Sequence, residues 1–273
     1  AGNQSWIEIS GLSENMGKAM EIVEGLIAGA QPNEEILQNL KGDMIKSRAD
    51  AKLNQSRCFG ALQRYMIYGS DFIRRTTLTD PALQGLTSEQ LLAKIGDLMG
   101  KQHEVLYYGP QDEAEVKAAL AAHHKVAADL QPLEKKFSTL QPTDENKVML
   151  AQYDAKQLYY MQYSNRGEKF DLAADPQITL YNEYFGGGMN TIVFQEMREA
   201  RGLAYSAWAN LAIPTNAKGD YYYMAFIATQ NDKMQKAIEA FDEIINNMPE
   251  SEKAFDIAKE ALISRLRTER TVK

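Results

Sequence analysis

Cysteine and long apolar segments are scarce in this sequence. The single cysteine, Cys58, excludes an internal disulfide, and its amphipathic surroundings predict an inert buried thiol. No apolar run approaches the ~18 residues of a membrane-spanning helix, and the opening AGNQSWIEIS has neither the basic nor the apolar region of a signal peptide. We therefore expect no membrane insertion, and we expect any export signal to lie outside this chain.

Basic clusters are missing too, since no run of Lys or Arg is longer than a pair. The formal net charge is −7 and the pI is near 5.2. These features disfavour nucleic acids and anionic membranes as partners, so peptides or proteins are expected instead. The length of 273 residues, with 44% hydrophobic and 25% charged residues, suits one large domain or two medium ones.

Histidine is rare, and only His103, His123 and His124 could offer imidazole to a metal ion. Adjacent helical residues point about 100° apart, so His123 and His124 cannot clamp one ion as an i, i+4 pair can. No ligand-like partner stands at a suitable spacing. The three side chains are interpreted as solvated, and the sequence predicts no metal site and no cofactor in this chain.

The first part of the chain is mainly helical by its pattern. The alternation of WIEIS predicts a strand, and Ser13 then caps a helix. A long helical pattern covers residues 34–68, Ser88 caps a further helix, and HEVLYYG, residues 103–109, reads as a strand. Two Gln-Pro pairs follow in a stretch with few periodic apolar residues, which predicts a linker at 125–145 between a domain at 1–124 and one at 146–273.

The second part predicts strands and helices in blocks. NKVMLAQYD and QLYYMQYSN flank residues 154–156 as a β-hairpin, and Asp175 with Pro176 begins a helix. LAYSAWANLAI and DYYYMAFIAT are expected to pair, followed by helices from about Asn231 and about Glu250. Such blocks favour an α+β fold, an antiparallel sheet with helices on one face.

An internal repeat is suggested by MGKAMEIVEGLI, which starts at Met16, and MQKAIEAFDEII, which starts 218 residues later at Met234. Both are followed by proline, acidic residues and a second helix. Two amphipathic helices can also match by chance, because helical periodicity alone aligns their apolar residues. If the repeat is real, residues 1–124 are the back half of one unit and residues 146–273 are most of the next, so we expect a piece of a larger protein.

The stretch YFGGGMNTIVFQEMREARGLAYS carries the most specific signal. Gly186, Gly187 and Gly188 open a helix, where free N–H groups can cradle phosphate. They follow a helix rather than a strand, however, and no Lys-Ser/Thr pair comes after them. A hinge between two helices, where glycine permits close packing, is the preferred interpretation.

This stretch resembles the glycine-rich helix and following strand of the pitrilysin/insulinase-type zinc metallopeptidases, the inverzincins. The resemblance implies homologous α+β units enclosing a chamber, with this chain from the C-terminal half that lacks the zinc. The family's H-x-x-E-H motif, which binds zinc and activates water, is not in this sequence. Zinc is therefore expected in an N-terminal half of the same protein, and this piece alone is expected to be inactive. A bacterial member would be exported or periplasmic.

The resemblance also assigns a role to Arg198 and Tyr205, which stand seven residues apart as in the family's last unit. It implies that both hold the substrate backbone near the scissile bond and donate to the developing oxyanion. Gly202 is expected to end the helix so that the chain reverses into a strand. By the same resemblance, Gly186, Gly187 and Gly188 contact the substrate, although residues 190–192 depart from the family pattern.

Two alternatives remain open. Without the family pattern, Arg198 is a surface arginine paired with a glutamate and Tyr205 a half-buried strand residue. The same fold also occurs in non-catalytic proteins that scaffold an assembly or recognise peptides, so a scaffold is the competing function. An upstream H-x-x-E-H motif would distinguish the peptidase from the scaffold.

Overall fold

The structure, a computed structural model, describes residues 5–133 and 139–269. The chain forms two compact units, one of Ala1–Asp50 with Arg74–Ser138 and one of Ala51–Ile73 with Thr139–Lys273. The last division falls inside the segment predicted as a linker, of which residues 134–138 lie outside the described residues. None of the described helices is long and apolar enough to cross a membrane.

The described part of the first unit is helical. Its helices are α1 (Met16–Gly29), most of α2 (Glu34–Lys52), the end of α3 (Gln55–Thr76), α4 (Asp80–Gln84), α5 (Ser88–Met99) and α6 (Glu113–His123). The pattern over residues 34–68 thus covers two helices rather than one. Thr87, not Ser88, caps α5, because its side chain accepts from Gln90 N at 3.3 Å in a capping box.

Two segments predicted as strands in this unit are irregular, so those predictions are wrong. Residues 5–10 and 103–109 form no described ladder, and their apolar side chains are exposed, with Trp6 at 78% and Leu106 at 92%. Both have the right alternation, but a strand needs a neighbour to pair its backbone groups. Within the described part of this unit no such neighbour is present.

Lys41 is a buried cation in α2, only 3% exposed. Its Nζ donates to Gln84 O at 3.0 Å and to Leu86 O at 2.6 Å, at the end of α4. Carbonyls at a helix C-terminus lack intrahelical partners, and a lysine there satisfies them and complements the helix dipole. This side chain therefore joins α2 to the turn after α4.

Replacing Lys41 by Met should destabilise the chain, because the similar shape keeps the packing but leaves two carbonyls without their donor. We expect the free energy of unfolding to fall by about 1–2 kcal/mol in urea denaturation. Lys46→Met on the same helix is the control, since Lys46 is exposed and its loss should change stability by less than about 0.5 kcal/mol. Equal effects of the two substitutions would contradict this role.

The second unit is built around a three-stranded antiparallel sheet in the order β1-β3-β2. The strands are β1 (Gln157–Ser164), β2 (Ser206–Ala212) and β3 (Tyr222–Gln230). The predicted pairing of the last two strands and the α+β class are confirmed. The first arm of the predicted hairpin is wrong: residues 146–154 are irregular, and Val148 is 94% exposed. Its apolar residues meet no covering surface within the described residues, so alternation alone does not make them a strand.

Helical segments cover one face of this sheet. They are α7 (Asp175–Tyr181), a π-helical turn (Asn182–Gly186), α8 (Ile192–Phe194), a second π-helical turn (Gln195–Ala200), α9 (Met234–Asn246) and α10 (Glu252–Thr268). The largest fully buried side chains of the resulting core are Phe185, Phe241, Met197, Ile227, Ile244 and Val193. On the opposite face, Phe59 of α3 contacts Tyr159 and Phe226, with ring centroids 5.5 and 5.7 Å apart, a contact that the sequence does not predict.

The two helix pairs of the predicted repeat have similar boundaries. The three residues before α1 and the three before α9 both form a 3-10 turn. The following helices begin at Glu34 and Glu252, again 218 residues apart. Asn33 and Ser251, one residue earlier, each accept a backbone N–H through a side-chain oxygen. The two helix pairs thus share their spacing and their caps.

Candidate functional site

The glycine-rich turn is fixed to the edge strand β2. Gly186 is buried, and a Cβ on it would overlap the carbonyl oxygen of Ala209. One turn earlier, the Asn182 side chain donates to Leu211 O and accepts from Leu211 N, both at 2.9 Å. Two features therefore hold this helix end against β2. One is the two hydrogen bonds between the Asn182 side chain and the Leu211 backbone, and the other is a close approach that only glycine permits.

Gly187 and Gly188 are exposed and differ from Gly186 in their surroundings. They lie at an open depression of about 550 Å³, whose lining is Thr179, Asn182, Glu183, Gly187, Gly188, Asn210, Leu211, Ile213 and Arg265. Arg265 and Glu183 form an ion pair of 2.9 Å at its side. Arg198 and Tyr205 are not part of this lining, so the predicted site residues fall into two places.

The helix that carries Arg198 ends where the sequence predicts. Gly202 has φ +58°, the left-handed conformation that glycine adopts at a helix C-terminus. Leu203 N and Ala204 N both donate to Met197 O, at 2.9 and 3.3 Å, and close the last turn. Tyr205 N then donates to Ala228 O at 2.9 Å as the chain joins the sheet. The role of Gly202 as helix terminator is confirmed.

Arg198 lies between two aromatic rings. Its guanidinium carbon is 5.0 Å from the ring centroid of Phe194 and 5.7 Å from that of Tyr205, both cation–π distances. The Arg198 side chain is 45% exposed and Tyr205 is 72% exposed. Among the described residues, the one ion pair of Arg198 is a long contact from its Nε to Glu199, 3.6 Å. Both side chains are therefore exposed to solvent, and the guanidinium lies near the ring of Tyr205.

Arg201, three residues later, contrasts with Arg198. It bonds to Glu243 of α9 at 2.8 Å and contacts Glu196 at 3.5 Å. The hydrogen bond that Arg201 donates to Glu243 raises the pKa of Arg201 above its ordinary value. Arg201 therefore joins the helix to α9, whereas Arg198 contacts only residues close to it in sequence, namely Phe194, Glu199 and Tyr205, among the described residues.

The three histidines lie together in the first unit. His123 Nδ1 contacts Glu21 at 2.8 Å, His124 Nδ1 contacts Glu24 at 2.6 Å, and the Nε2 atoms of His103 and His124 are 2.8 Å apart. His103 is exposed, as the sequence predicts, but His124 is mostly buried, with 19% of its side chain exposed, so the prediction of a solvated side chain is wrong for His124. His103 and His124 are 21 residues apart, and no local spacing indicates their contact.

Comparison with known proteins gives the family. Residues 86–262 match the model described as "Peptidase M16 inactive domain". The chain belongs to this family. No curated protein matches the sequence significantly.

Solved structures share the fold of this M16 inactive domain. A peptidase M16 inactive domain from Pseudomonas fluorescens superposes with TM-score 0.60 at 19% identity, covering 87% of this chain and 57% of that one. The ferredoxin protease FusC, solved with Arabidopsis ferredoxin, gives 0.70 at 11% identity, covering 93% and 28%. A chain of complex III2 from Candida albicans gives 0.55 at 14% identity, covering 94% and 63%. The chain thus spans less than two thirds of these structures, and at such identities they show the fold alone.

The predicted membership in the pitrilysin/insulinase-type peptidases, as the C-terminal part, is confirmed by the family match. The residues that the structure describes do not fit the family's zinc ion. Across residues 5–133 and 139–269, no group of three or more His, Cys, Asp or Glu side chains is arranged to hold a metal. The domain is therefore related to a peptidase without holding a set of zinc ligands among its described residues.

Proposed function

We propose that this chain is the C-terminal part of a zinc-dependent peptidase, in which it forms chamber wall and peptide-binding surface. In this proposal the hydrolytic centre lies in an N-terminal half of the same protein, and this part alone is inactive. Its substrates are peptides or proteins. The observation that carries the proposal is the exposed pair of Arg198 and Tyr205, with the guanidinium 5.7 Å from the phenol ring.

The chemistry of the pair suits a clamp on a peptide carbonyl. The cation–π contacts use none of the guanidinium N–H groups as hydrogen-bond donors to a carbonyl, so in the proposal these groups donate to the substrate. Within the described residues, the Tyr205 hydroxyl has no hydrogen-bond partner. Two donors held side by side can stabilise an oxyanion better than the neutral carbonyl that precedes it, which is the requirement for lowering a hydrolytic barrier.

The exposed glycines extend this surface in the proposal. Gly187 and Gly188 carry no side chains that would keep a peptide backbone away, and Asn210 adds a polar amide to the same depression. Gly186 is buried against Ala209, so the proposed substrate contact concerns the other two glycines. In the proposal, Gly186 positions Gly187 and Gly188 by packing against β2.

A scaffold without catalytic function is the second candidate. Its support is the likeness to a chain of complex III2, which shows that this fold can serve in an assembly. The exposed Arg198–Tyr205 pair favours the peptidase, because a pure scaffold has no need of two free donors on one surface. Sequencing upstream of residue 1 for H-x-x-E-H distinguishes the two.

In the full-length protein, Arg198→Ala should raise KM for a peptide substrate by roughly 10- to 100-fold, because a hydrogen bond to a charged group contributes about 1.5–3 kcal/mol. Peptide hydrolysis at varied substrate concentration measures this. Arg166→Ala removes the same charge from another exposed position of this unit and should leave KM unchanged. A KM equal to wild type in Arg198→Ala would reject the clamp.

A further inference from the structure

Polar contacts do little to fix the direction of the Arg198 guanidinium. Among the described residues its one ion pair is the contact with Glu199, which is long, 3.6 Å, and joins two side chains that are about half exposed. Such a pair contributes little, because water screens it. Arginine is long and flexible, and ordering a flexible side chain when a ligand binds lowers the affinity. An arginine that binds a peptide well therefore needs another group that holds it in place beforehand.

The helical segment that carries Arg198 is anchored by its buried side. Val193 and Met197 stand four residues apart and are both fully buried in the core of the second unit. Phe194 and Arg198 are each the next residue along the chain, so they are also neighbours on the helix surface, at the edge of the core. Phe194 is half-buried, and the surrounding core therefore restricts the movement of its ring.

The ring of Phe194 is the nearer of the two aromatic rings around the guanidinium. Arg198 Cζ lies over it at 5.0 Å from the ring centroid, against 5.7 Å for the ring of Tyr205. Cation–π attraction acts at both distances. Tyr205 is 72% exposed, whereas Phe194 is half-buried. Phe194 is therefore the nearer and the more constrained of the two contacts that hold Arg198.

We propose that Phe194 is a positioning residue for Arg198, whose guanidinium its ring holds beside Tyr205, where the two donors together bind one peptide carbonyl. This inference rests on the proposed function of the Arg198–Tyr205 pair and adds to it a residue that acts on the substrate only through Arg198. Removing the ring leaves the guanidinium in the molecule but frees it to take other rotamers, so substrate binding must then pay the cost of ordering it.

Nuclear magnetic resonance of the whole chain without substrate tests the positioning itself. The Nε–H signal of Arg198, assigned by its loss in Arg198→Ala, should be shifted upfield by the shielding over the ring. Phe194→Leu keeps an apolar side chain without the ring, so the signal should move downfield and its heteronuclear nuclear Overhauser effect should fall as the side chain gains motion on the ps–ns timescale. Phe194→Tyr keeps the ring and should preserve both. An Arg198 signal that Phe194→Leu leaves unchanged would overturn the proposal.

Peptide hydrolysis by the full-length protein tests the consequence for the substrate. Phe194→Leu should raise KM roughly 3- to 10-fold and change kcat by less than about twofold, because a cation–π contact is lost but no donor is removed. Phe194→Tyr should keep both constants within about twofold of wild type. Phe255→Leu is the matched control, since Phe255 of α10 is 41% exposed and its ring lies 6.0 Å from that of Tyr184. It should leave KM unchanged.

The double variant Phe194→Leu/Arg198→Ala separates positioning from a general structural effect. Its KM should equal that of Arg198→Ala alone, because a residue that acts through Arg198 then has nothing left to position. A further rise in KM, or a wild-type KM in Phe194→Leu where Arg198→Ala raises it, would overturn the proposal. A wild-type KM in Arg198→Ala would instead reject the clamp, and the spectra of the free chain would still decide whether Phe194 holds Arg198. Circular dichroism verifies that each variant is folded.

Discussion

Tyr205→Phe in the full-length protein is expected to lower kcat about 100-fold, the effect of removing one oxyanion donor. The phenyl ring is kept, so the cation–π contact with Arg198, 5.7 Å from ring centroid to guanidinium carbon, also remains. KM should change little, because the hydroxyl is proposed to bind the transition state more strongly than the ground state. Steady-state hydrolysis of a peptide substrate separates the two constants.

A control for this substitution is Tyr108→Phe, which removes a hydroxyl from a tyrosine that is 83% exposed in the first unit. It should leave both constants at wild-type values. The double variant Tyr205→Phe/Arg198→Ala should lose less activity than the product of the single losses, because two donors to one oxygen act as a unit. Wild-type kcat in Tyr205→Phe would show that the pair is structural and would favour the scaffold.

Local signals in the sequence were sufficient for the elements near this site. The glycine after a helical pattern predicts the left-handed end at Gly202, because only glycine takes that conformation without strain. The alternation of residues 203–213 and 220–229 predicts two paired strands, and β2 and β3 pair as expected. Such features depend on residues that are close in sequence, so the local sequence is enough to predict them.

Features that depend on distant residues could not be predicted in this way. Residues 103–109 and 146–154 alternate like strands, but alternation does not show whether a partner strand is present. The contact of His103 with His124 joins residues 21 apart, and the Phe59 contact crosses about 100 residues to reach Tyr159. Charge and periodicity carry no information on such pairs without the fold.

Gly186 is the clearest case, and its replacement should have the largest effect on stability. Sequence alone predicts a hinge where glycine permits close packing, but it does not show that the partner is the carbonyl of Ala209, against which this glycine is buried. Ala209 is itself fully buried in β2, so neither backbone can move away without disturbing the core. A methyl group here meets backbone atoms, which no change of rotamer can relieve.

Gly186→Ala should therefore lower the free energy of unfolding by about 3 kcal/mol or more, the upper range for overpacking a core. Gly187→Ala is the matched control: this residue is exposed, has φ −121° and would meet nothing within 4 Å. It should leave stability unchanged or raise it by about 0.4–1 kcal/mol, because alanine restricts the unfolded chain. Urea denaturation of the whole chain measures both. Hydrogen exchange gives a second test, since pushing the helix end from β2 should break the Asn182–Leu211 pair and speed exchange at Leu211 N. A Gly186→Ala variant as stable as wild type, with Leu211 still protected, would show that the close approach to Ala209 does not determine the fold at this turn.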